Sequence, residues 1–251
     1  MVPYVIYSHT DYLPILRIQT DYNKDKGHRT LLINKEVDIC KEYDNVIYYD
    51  ESLPYAGRLL ECLKQIKDDY FVLLHEFDIL LNVDNNILSK LITFTRNHNY
   101  DRIDLKHTHN VTNSSQVIMG VPFSLVKASD PKDYIYNVNP SIWKRDTYLE
   151  ILERYKYANY REIECWVQEF CMKYNIFKLH APDWIEVGWF FCLPFFTYLH
   201  VTHSGKVLPY NPPFFMTPSR QSYASVAKEY AEMYYKYDME NIKLNHYLPN
   251  G

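Results

Sequence analysis

Two carboxylates one residue apart stand at the exit of an apolar, strand-like run in the first half of the chain. Residues 70–74 read YFVLL, and His75, Glu76 and Asp78 come at their end. A buried carboxylate is costly unless it is paired, hydrogen-bonded or bound to a cation. Mg²⁺ and Mn²⁺ favour oxygen ligands and commonly take one or two protein carboxylates together with phosphate and water. These acids are therefore candidates for a divalent-cation site that faces a phosphate-bearing ligand.

A structural interpretation of the same acids stays open. Two acids spaced i, i+2 occur by chance in many chains. Glu76 could cap the following turn while Asp78 pairs with a lysine. The elements around the two acids decide between this interpretation and a cation site.

Strands and helices alternate over the first hundred residues. Strands are predicted at 4–9, 29–36, 45–50 and 70–74, with helices within 12–23, 53–70 and 85–98. This alternation predicts an α/β fold with a mostly parallel sheet covered on both faces. Ligands bind at the carboxyl ends of the strands in such sheets. The polar residues expected at that edge are Ser8, His9, Thr10, Asp11, Asn34, Asp50, His75, Glu76 and Asp78.

The second half of the chain has a different pattern. Strands predicted at 101–107 and 115–127 follow one another without a helix, which indicates a mixed or antiparallel extension of the sheet. Helices are predicted within 139–155, at 161–175 and in the C-terminal tail. Because the chain shows no internal repeat and no linker, we expect a single domain over residues 1–251.

The composition argues against several classes of protein. A net charge of −4 without a basic run gives no electrostatic footprint for nucleic acid. The five cysteines include no CxxC pair, so we expect reduced thiols. The first residues lack the pattern of a signal peptide, and the apolar segment 189–201 is interrupted by Pro194 and too short for a bilayer. These features predict a cytoplasmic protein without a membrane span.

Five short stretches carry a resemblance to a known enzyme family. Three are YVIYSHTDYLPIL (4–16), YYDESLPYAGRLLECLKQI (48–66) and YFVLLHEFDILL (70–81), and two are NPSIWKRDTYLEIL (139–152) and REIECWVQEF (161–170). In this order they resemble nucleotide-sugar glycosyltransferases of the GT-A fold, in particular small enzymes encoded by large DNA viruses. The last two are similar to the start of the acceptor half of such enzymes and to its acidic motif. The resemblance extends over residues 4–210 through motifs rather than continuous identity.

The resemblance implies a donor site at the acid pair. The family's Asp-x-Asp metal motif falls on Glu76-Phe77-Asp78, which makes Asp78 the main expected ligand of Mn²⁺ or Mg²⁺. Glu76 replaces the first Asp with a longer arm, which leaves open whether it ligates the metal or contacts the ribose or a metal-bound water. The residues implied to bind the nucleotide are Ser8, His9, Thr10, Asp11, Asp50, Arg58 and Glu76. Arg58 could equally be a solvated helix residue, and Tyr55 is a weaker candidate for stacking.

The resemblance also implies residues on the acceptor side. An acceptor hydroxyl is a poor nucleophile until a carboxylate removes its proton in the transition state. Glu164 falls at the family's acceptor-side acid, with Glu169 as the second candidate, although an ordinary acid near a helix start looks the same. His203 is the implied further metal ligand. His200 is a weaker one, and Lys206 could lie over the diphosphate, but polar surface residues would show the same pattern.

The activity that the resemblance implies is a metal-dependent, inverting glycosyltransferase. A hexosyl or pentosyl group would pass from a nucleotide-diphosphate sugar to a glycan or glycoprotein, in the host cytoplasm if the protein is viral. Residues 1–98 would bind the nucleotide sugar and residues 99–212 the acceptor, followed by a peripheral helical tail at 213–251.

Two other functions stay open at this point. The Glu in place of the first Asp is also compatible with a non-catalytic protein that binds a glycan or a nucleotide. A metal-dependent nucleotidyltransferase or phosphohydrolase on a similar sheet ranks last. The sequence has neither a GxGxxG loop nor a GxxxxGK loop for phosphate.

Overall fold

A nine-stranded sheet lies at the centre of the structure. The computed structural model describes residues 1–107, 116–117, 123–131, 134–180, 185–187, 190–193, 195–203, 206–210 and 224–244. These residues also form a four-stranded sheet and a two-stranded one. None of the helices in the described part of the chain has the length and apolar character needed to cross a bilayer.

The helices and strands are numbered in chain order. The strands are β1 (Pro3–Tyr7), β2 (His28–Ile33), β3 (Asn45–Tyr48), β4 (Tyr70–His75), β5 (Asp78–Val83), β6 (Arg102–His107), β7 (Gln116–Val117), β8 (Ser124–Lys127), β9 (Ser141–Lys144), β10 (Ile176–His180), β11 (Ile185–Val187), β12 (Phe190–Leu193), β13 (Phe196–His200), β14 (Thr202–His203) and β15 (Lys206–Val207). The helices are α1 (Leu13–Asn23), α2 (Tyr55–Leu63), α3 (Asn85–Asn97), α4 (Arg145–Arg154), α5 (Tyr160–Trp166), α6 (Gln168–Cys171) and α7 (Ala224–Lys236).

The strand order of the central sheet is β3-β2-β1-β4-β9-β6-β10-β8-β7. The first four strands are parallel neighbours, and β6 and β10 are parallel as well. β9 is antiparallel to β4 and β6, and β8 is antiparallel to β10 and β7. Among the strands described in this sheet, β9 and β8 are the two that run against the rest. The predicted α/β fold, with a mostly parallel central sheet and a mixed extension, is confirmed.

Helices cover both faces of this sheet. Successive side chains of a strand point to opposite faces. In β1, Tyr4 and Ile6 belong to a core that includes residues of α1 and α3. Val5 and Tyr7 belong to a second core, which includes residues of α2, α4 and α5. The apolar face of each helix is thus buried on the sheet, as the helical spacing of apolar residues predicts.

A second sheet begins where β4 ends. β5 follows β4 after two residues but pairs with β13, in the order β11-β12-β13-β5. The antiparallel register sets Asp78 opposite His200. The helix predicted in the tail is α7, and its Tyr230 and Met233 are buried in a third core with Ile79 of β5. The chain therefore passes from the central sheet to the second sheet at Glu76 and Asp78.

Several short elements of the second half are not evident from the sequence pattern. β9 lies in the segment for which the sequence predicts a helix alone, and it is a central strand because it pairs with both β4 and β6. Four residues give too little alternation to identify a strand before its neighbours are known. The single helix predicted at 161–175 is two short helices, α5 and α6, which meet at Val167.

A buried arginine fixes the segment that precedes β9. Arg102 has no exposed surface and donates hydrogen bonds to Oδ1 of Asn137 at 2.7 Å and to Oγ of Ser141 at 2.6 Å. A carboxylate oxygen of Asp104 lies 3.8 Å from the guanidinium and supplies the opposite charge. The network fixes Asn137. The next residue, Val138, donates a hydrogen bond from its backbone N–H to Glu164 of α5.

Arg102→Met is expected to lower the free energy of unfolding by about 3–5 kcal/mol, because it leaves Asp104 buried without its counter-charge. Urea denaturation measures this loss. Arg161→Met, at an exposed position on α5, is the control and should stay within about 0.5 kcal/mol of the unchanged protein. Equal stability of the two variants would contradict the role of Arg102.

Candidate active site

The turn between β4 and β5 is held by a glutamine of α1. β4 ends at His75 and β5 begins at Asp78. Two residues, Glu76 and Phe77, join them, and we call residues 76–78 the acid turn. Gln19 is buried, and its Nε2 donates hydrogen bonds to the carbonyl oxygens of His75 at 2.6 Å and Asp78 at 3.0 Å. One side chain therefore binds the backbone on both sides of the acid turn and fixes its shape.

Asp78 has no exposed surface, and both of its carboxylate oxygens have neighbours. Oδ2 accepts a hydrogen bond from the backbone N–H of His75 at 3.0 Å. Oδ1 lies 3.3 Å from Nδ1 of His200. The partner of this buried acid is thus a histidine, not the lysine of the structural interpretation.

Glu76 is buried beside the end of β1. Its backbone N–H donates to the carbonyl oxygen of Tyr7 at 3.1 Å. Oε2 has no hydrogen-bond partner among the residues that the structure describes. Burial raises the pKa of Glu76 to about 8, and the charge of Asp78 adds to the rise while a backbone hydrogen bond opposes it. Glu76 therefore carries a proton at neutral pH unless a cation lies against it.

His75 is a neutral imidazole between the acid turn and the core. Burial lowers its pKa to about 4, although the charge of Asp78 opposes this shift. Nε2 lies 2.7 Å from the hydroxyl of Tyr55. The ring stacks on Phe77 with 5.0 Å between centroids. Tyr55, the weaker candidate for stacking on a ligand, is itself buried, and its hydroxyl contacts His75.

The loop after β1 is tied to the loops after β2 and β3. The backbone N–H of Ser8 donates to Leu32 at 2.9 Å, and its carbonyl accepts from the hydroxyl of Tyr49 at 2.7 Å. Thr10 and Asn34 exchange two hydrogen bonds of 2.9 Å and 3.0 Å. Three of the predicted strand ends, those of β1, β2 and β3, thus meet at one edge of the sheet.

His9 connects the same loop to Glu51. Nδ1 of His9 accepts a hydrogen bond from the N–H of Asp11 at 3.1 Å, so the neutral ring carries its hydrogen on Nε2, which faces the carboxylate of Glu51. The hydrogen bond with His9 lowers the pKa of Glu51. Glu51 is a residue that the sequence does not single out, because an acid after Asp50 looks like ordinary loop surface.

Asp50 and Arg58 lie beside this loop with different exposure. Asp50 is exposed, and a hydrogen bond from the N–H of Ser52 at 2.8 Å lowers its pKa. Arg58 is buried and donates to the carbonyl oxygens of Leu53 and Glu51, both at 2.6 Å. Arg58 therefore supports the loop after β3, and its contact with a phosphate stays a prediction.

Glu164 lies in α5, the helix whose first residue, Tyr160, contacts Phe77 of the acid turn. Its Oε1 accepts a hydrogen bond from the N–H of Val138 at 2.9 Å. Burial raises the pKa of Glu164, while the Val138 N–H, Arg102 and His200 oppose the rise. His200, the partner of Asp78, is thus one of the groups that influence the pKa of Glu164.

The charges of three carboxylates contribute to the raised pKa of one tyrosine hydroxyl, that of Tyr160. Tyr160 is the first residue of α5, one helical turn before Glu164. Burial raises the pKa of the Tyr160 hydroxyl well above its ordinary value. The negative charges of Glu164, Asp78 and Glu76 add to this rise in pKa, in that order of size. The ring of Tyr160 also contacts those of His75 and Phe77, so the acid turn and Glu164 lie near the same side chain although they are distant in sequence.

The remaining predicted residues lie farther along the chain. Glu169 is exposed on α6. His203 lies in β14 and pairs with Lys206 of β15, but the side chain of His203 is outside the described part of the structure. Lys206 is exposed. The predicted roles of these three residues stay predictions.

Asp78 and His200 are suitably spaced to share a divalent cation. Among the described residues, no cluster of three His, Cys, Asp or Glu side chains could hold a metal by itself. The 3.3 Å between Asp78 Oδ1 and His200 Nδ1 is close to the spacing of about 3 Å expected for neighbouring ligands of an octahedral ion with bonds of about 2.0–2.1 Å. Oε2 of Glu76 is an unused acceptor beside them. The residues fit a cation that takes its other ligands from water and a bound phosphate.

No protein-family model and no curated protein matches the chain. Among solved structures, TarS 1–349 from S. aureus shares 13% identity with a TM-score of 0.43, covering 72% of this chain and 60% of that one. A cytidylyltransferase from Leptospira borgpetersenii serovar Hardjo-bovis shares 12% identity with a TM-score of 0.49, covering 98% and 99%. A UDP-glucose pyrophosphorylase complexed with UDP-glucose shares 9% identity with a TM-score of 0.41, covering 72% and 91%. We infer the function from the residues of the site itself.

Glu76→Gln is expected to remove a pH dependence of stability in the metal-free protein. The pKa of Glu76 rises from 4.5 to about 8 on folding, so its stabilising effect is complete below pH 4.5 and is lost as the pH rises through about 8. From about pH 6.5 to about pH 8.5, the stability of the variant relative to the unchanged protein should therefore increase by roughly 2 kcal/mol.

Urea denaturation in the presence of a chelator, at the two pH values, measures this difference. Glu36→Gln, at an exposed position, is the control and should show no such change. A difference between Glu76→Gln and the unchanged protein that is the same at both pH values would show that Glu76 is ionised in the metal-free fold.

Proposed function

We propose that the chain is a glycosyltransferase that binds a nucleotide-diphosphate sugar and a divalent cation at the acid turn and transfers the sugar to a hydroxyl of a glycan or glycoprotein. The observation that supports this function is the position of Tyr160, whose ring contacts His75 and Phe77 at the acid turn and whose helix carries Glu164 one turn later. The acid turn also lies at the end of β4, at the edge where the loop after β1 is found. Ligands of parallel sheets bind at this edge.

In this proposal Asp78, Glu76 and His200 hold Mn²⁺ or Mg²⁺, and His203 is the further candidate ligand. A cation held there would neutralise the negative charge that develops on the diphosphate leaving group. Gln19 keeps the acid turn in one shape before any ligand arrives. Because His75 is neutral at physiological pH, it adds no positive charge that would repel the cation.

Glu164 is the proposed base, with Glu169 as the second candidate. Burial raises the pKa of Glu164, which makes its carboxylate a stronger proton acceptor than an exposed one. Its proposed task is to accept the proton of the acceptor hydroxyl as that oxygen attacks the anomeric carbon. Attack from the side opposite the diphosphate inverts the configuration, so we propose an inverting reaction.

Asp78→Asn is expected to weaken Mn²⁺-dependent binding of a nucleoside diphosphate at least about tenfold, because one charged ligand of a hard cation is lost. Isothermal titration calorimetry with Mn²⁺, and again with a chelator, measures the affinity. Asp38→Asn, at an exposed position, is the control and should bind like the unchanged protein. Undiminished Mn²⁺-dependent affinity in a folded Asp78→Asn protein would refute the cation site.

Glu164→Gln is expected to lower the transfer rate by about 10²–10⁴-fold, because the amide cannot accept the acceptor proton. The affinity for the nucleoside diphosphate should stay within about twofold, since the base is proposed to contact the acceptor. Release of nucleoside diphosphate in the presence of acceptor measures the rate. Glu153→Gln, at an exposed position, is the control. Glu169→Gln tests the second candidate. A large loss of transfer rate in Glu169→Gln, with Glu164→Gln still active, would make Glu169 the base.

The alternative functions predict different outcomes of the same assays. A non-catalytic binding protein would bind the nucleotide sugar or glycan and release no nucleoside diphosphate. A nucleotidyltransferase or phosphohydrolase would cleave a nucleoside triphosphate or a phosphomonoester without any sugar. Either result would replace the glycosyltransferase proposal.

A further inference from the structure

Tyr160 stands between the acid turn and Glu164. Its ring meets those of Tyr55, His75 and Phe77 edge-on, with centroid distances of 5.1 Å, 5.9 Å and 6.5 Å. Phe77 is the residue between the two acids of the acid turn. Glu164 lies four residues after Tyr160 in the same helix, and residues at this spacing lie on one face. The ring of Tyr160 is thus fixed against the acid turn while its helix presents Glu164 beside it.

The hydroxyl of Tyr160 differs from those of the neighbouring tyrosines. Tyr49 donates to the carbonyl oxygen of Ser8, and the hydroxyl of Tyr55 contacts His75. Tyr160 is half-buried, and its hydroxyl makes no hydrogen bond to the residues that the structure describes. This hydroxyl is not one of the buried atoms that lack a partner, so it is accessible to a ligand. Burial and the surrounding carboxylates raise its pKa, so the hydroxyl stays protonated and can donate.

The charges around this hydroxyl indicate the chemistry of its partner. The negative charges of Glu164 and Asp78 would repel a phosphate that approached without a cation. A neutral group with several hydroxyls can instead accept from the tyrosine and donate to the carboxylates. In the proposed reaction, the diphosphate lies at the acid turn and the acceptor hydroxyl at Glu164. The transferred sugar is the part of the donor that lies between them.

We propose that the hydroxyl of Tyr160 donates a hydrogen bond to a hydroxyl group of the transferred sugar and thereby selects which donor is used. The inference rests on the proposed function and adds the sugar subsite to it. Tyr160 contacts the sugar and neither the base nor the diphosphate of the nucleotide. Loss of the phenolic oxygen should therefore affect donors that carry the sugar and leave the sugar-free nucleotide unaffected.

Tyr160→Phe tests this inference, because it removes one oxygen and keeps the ring contacts. For the donor that the unchanged protein prefers, kcat/KM should fall about tenfold, the effect of one lost hydrogen bond of ordinary strength. The affinity for the sugar-free nucleoside diphosphate with Mn²⁺ should stay within about twofold. Tyr157→Phe, at an exposed position three residues earlier, is the matched control and should behave like the unchanged protein.

A series of monodeoxy donor sugars identifies the partner hydroxyl. The unchanged protein should lose about tenfold in kcat/KM on one of these donors, and Tyr160→Phe should show no further loss on that donor. Unchanged kcat/KM of Tyr160→Phe on the full donor would overturn the sugar subsite alone. An equal loss of affinity for the sugar-free nucleotide would overturn it too. If the unchanged protein turns over no nucleotide sugar, the proposed function fails together with this inference.

Discussion

The position of both acids depends on the change of direction between β4 and β5, which Gln19 stabilises. β4 belongs to the central sheet and β5 to the second sheet, so the chain leaves one set of strand partners before it meets the next. Buried carbonyl groups need hydrogen-bond donors at such a place. Gln19 supplies them to His75 and Asp78 with a single amide. Beyond this turn, β5 pairs with β13, which sets Asp78 opposite His200. The proposed cation site depends on this pairing.

The charges of the site are compensated only in part within the protein. His75 is kept neutral by burial, which lowers its pKa to about 4, and Glu76 is kept neutral by burial, which raises its pKa to about 8. Asp78 has one backbone N–H and His200 as partners. A cation would let Glu76 ionise and would add a favourable interaction with Asp78. The imidazole of His75 is mostly neutral at pH 7 in the unfolded chain as well, so the energetic cost that a cation could relieve lies at Glu76.

The sequence is most informative where an element can be recognised from its own residues. β1 to β4 contain continuous apolar runs and alternate with amphipathic helices, so their parallel arrangement is predictable, and with it the edge where Glu76 and Asp78 lie. β9 is recognisable only once β4 and β6 lie on either side of it. Gln19 and Tyr160 could not be predicted, because a glutamine in a helix and one of 25 tyrosines have no local signature. Their roles arise from the packing of distant segments.

Thermal unfolding with a panel of nucleotide-diphosphate sugars, each with Mn²⁺ and with a chelator, tests the central claim most directly. A ligand that binds only the folded state raises the melting temperature. At a ligand concentration of about 100 times the Kd, we expect a rise of about 5–10 °C with one class of nucleotide, and its loss when the cation is chelated. No rise with any of these donors in the presence of Mn²⁺ would contradict a cation-dependent nucleotide-sugar site at Glu76 and Asp78.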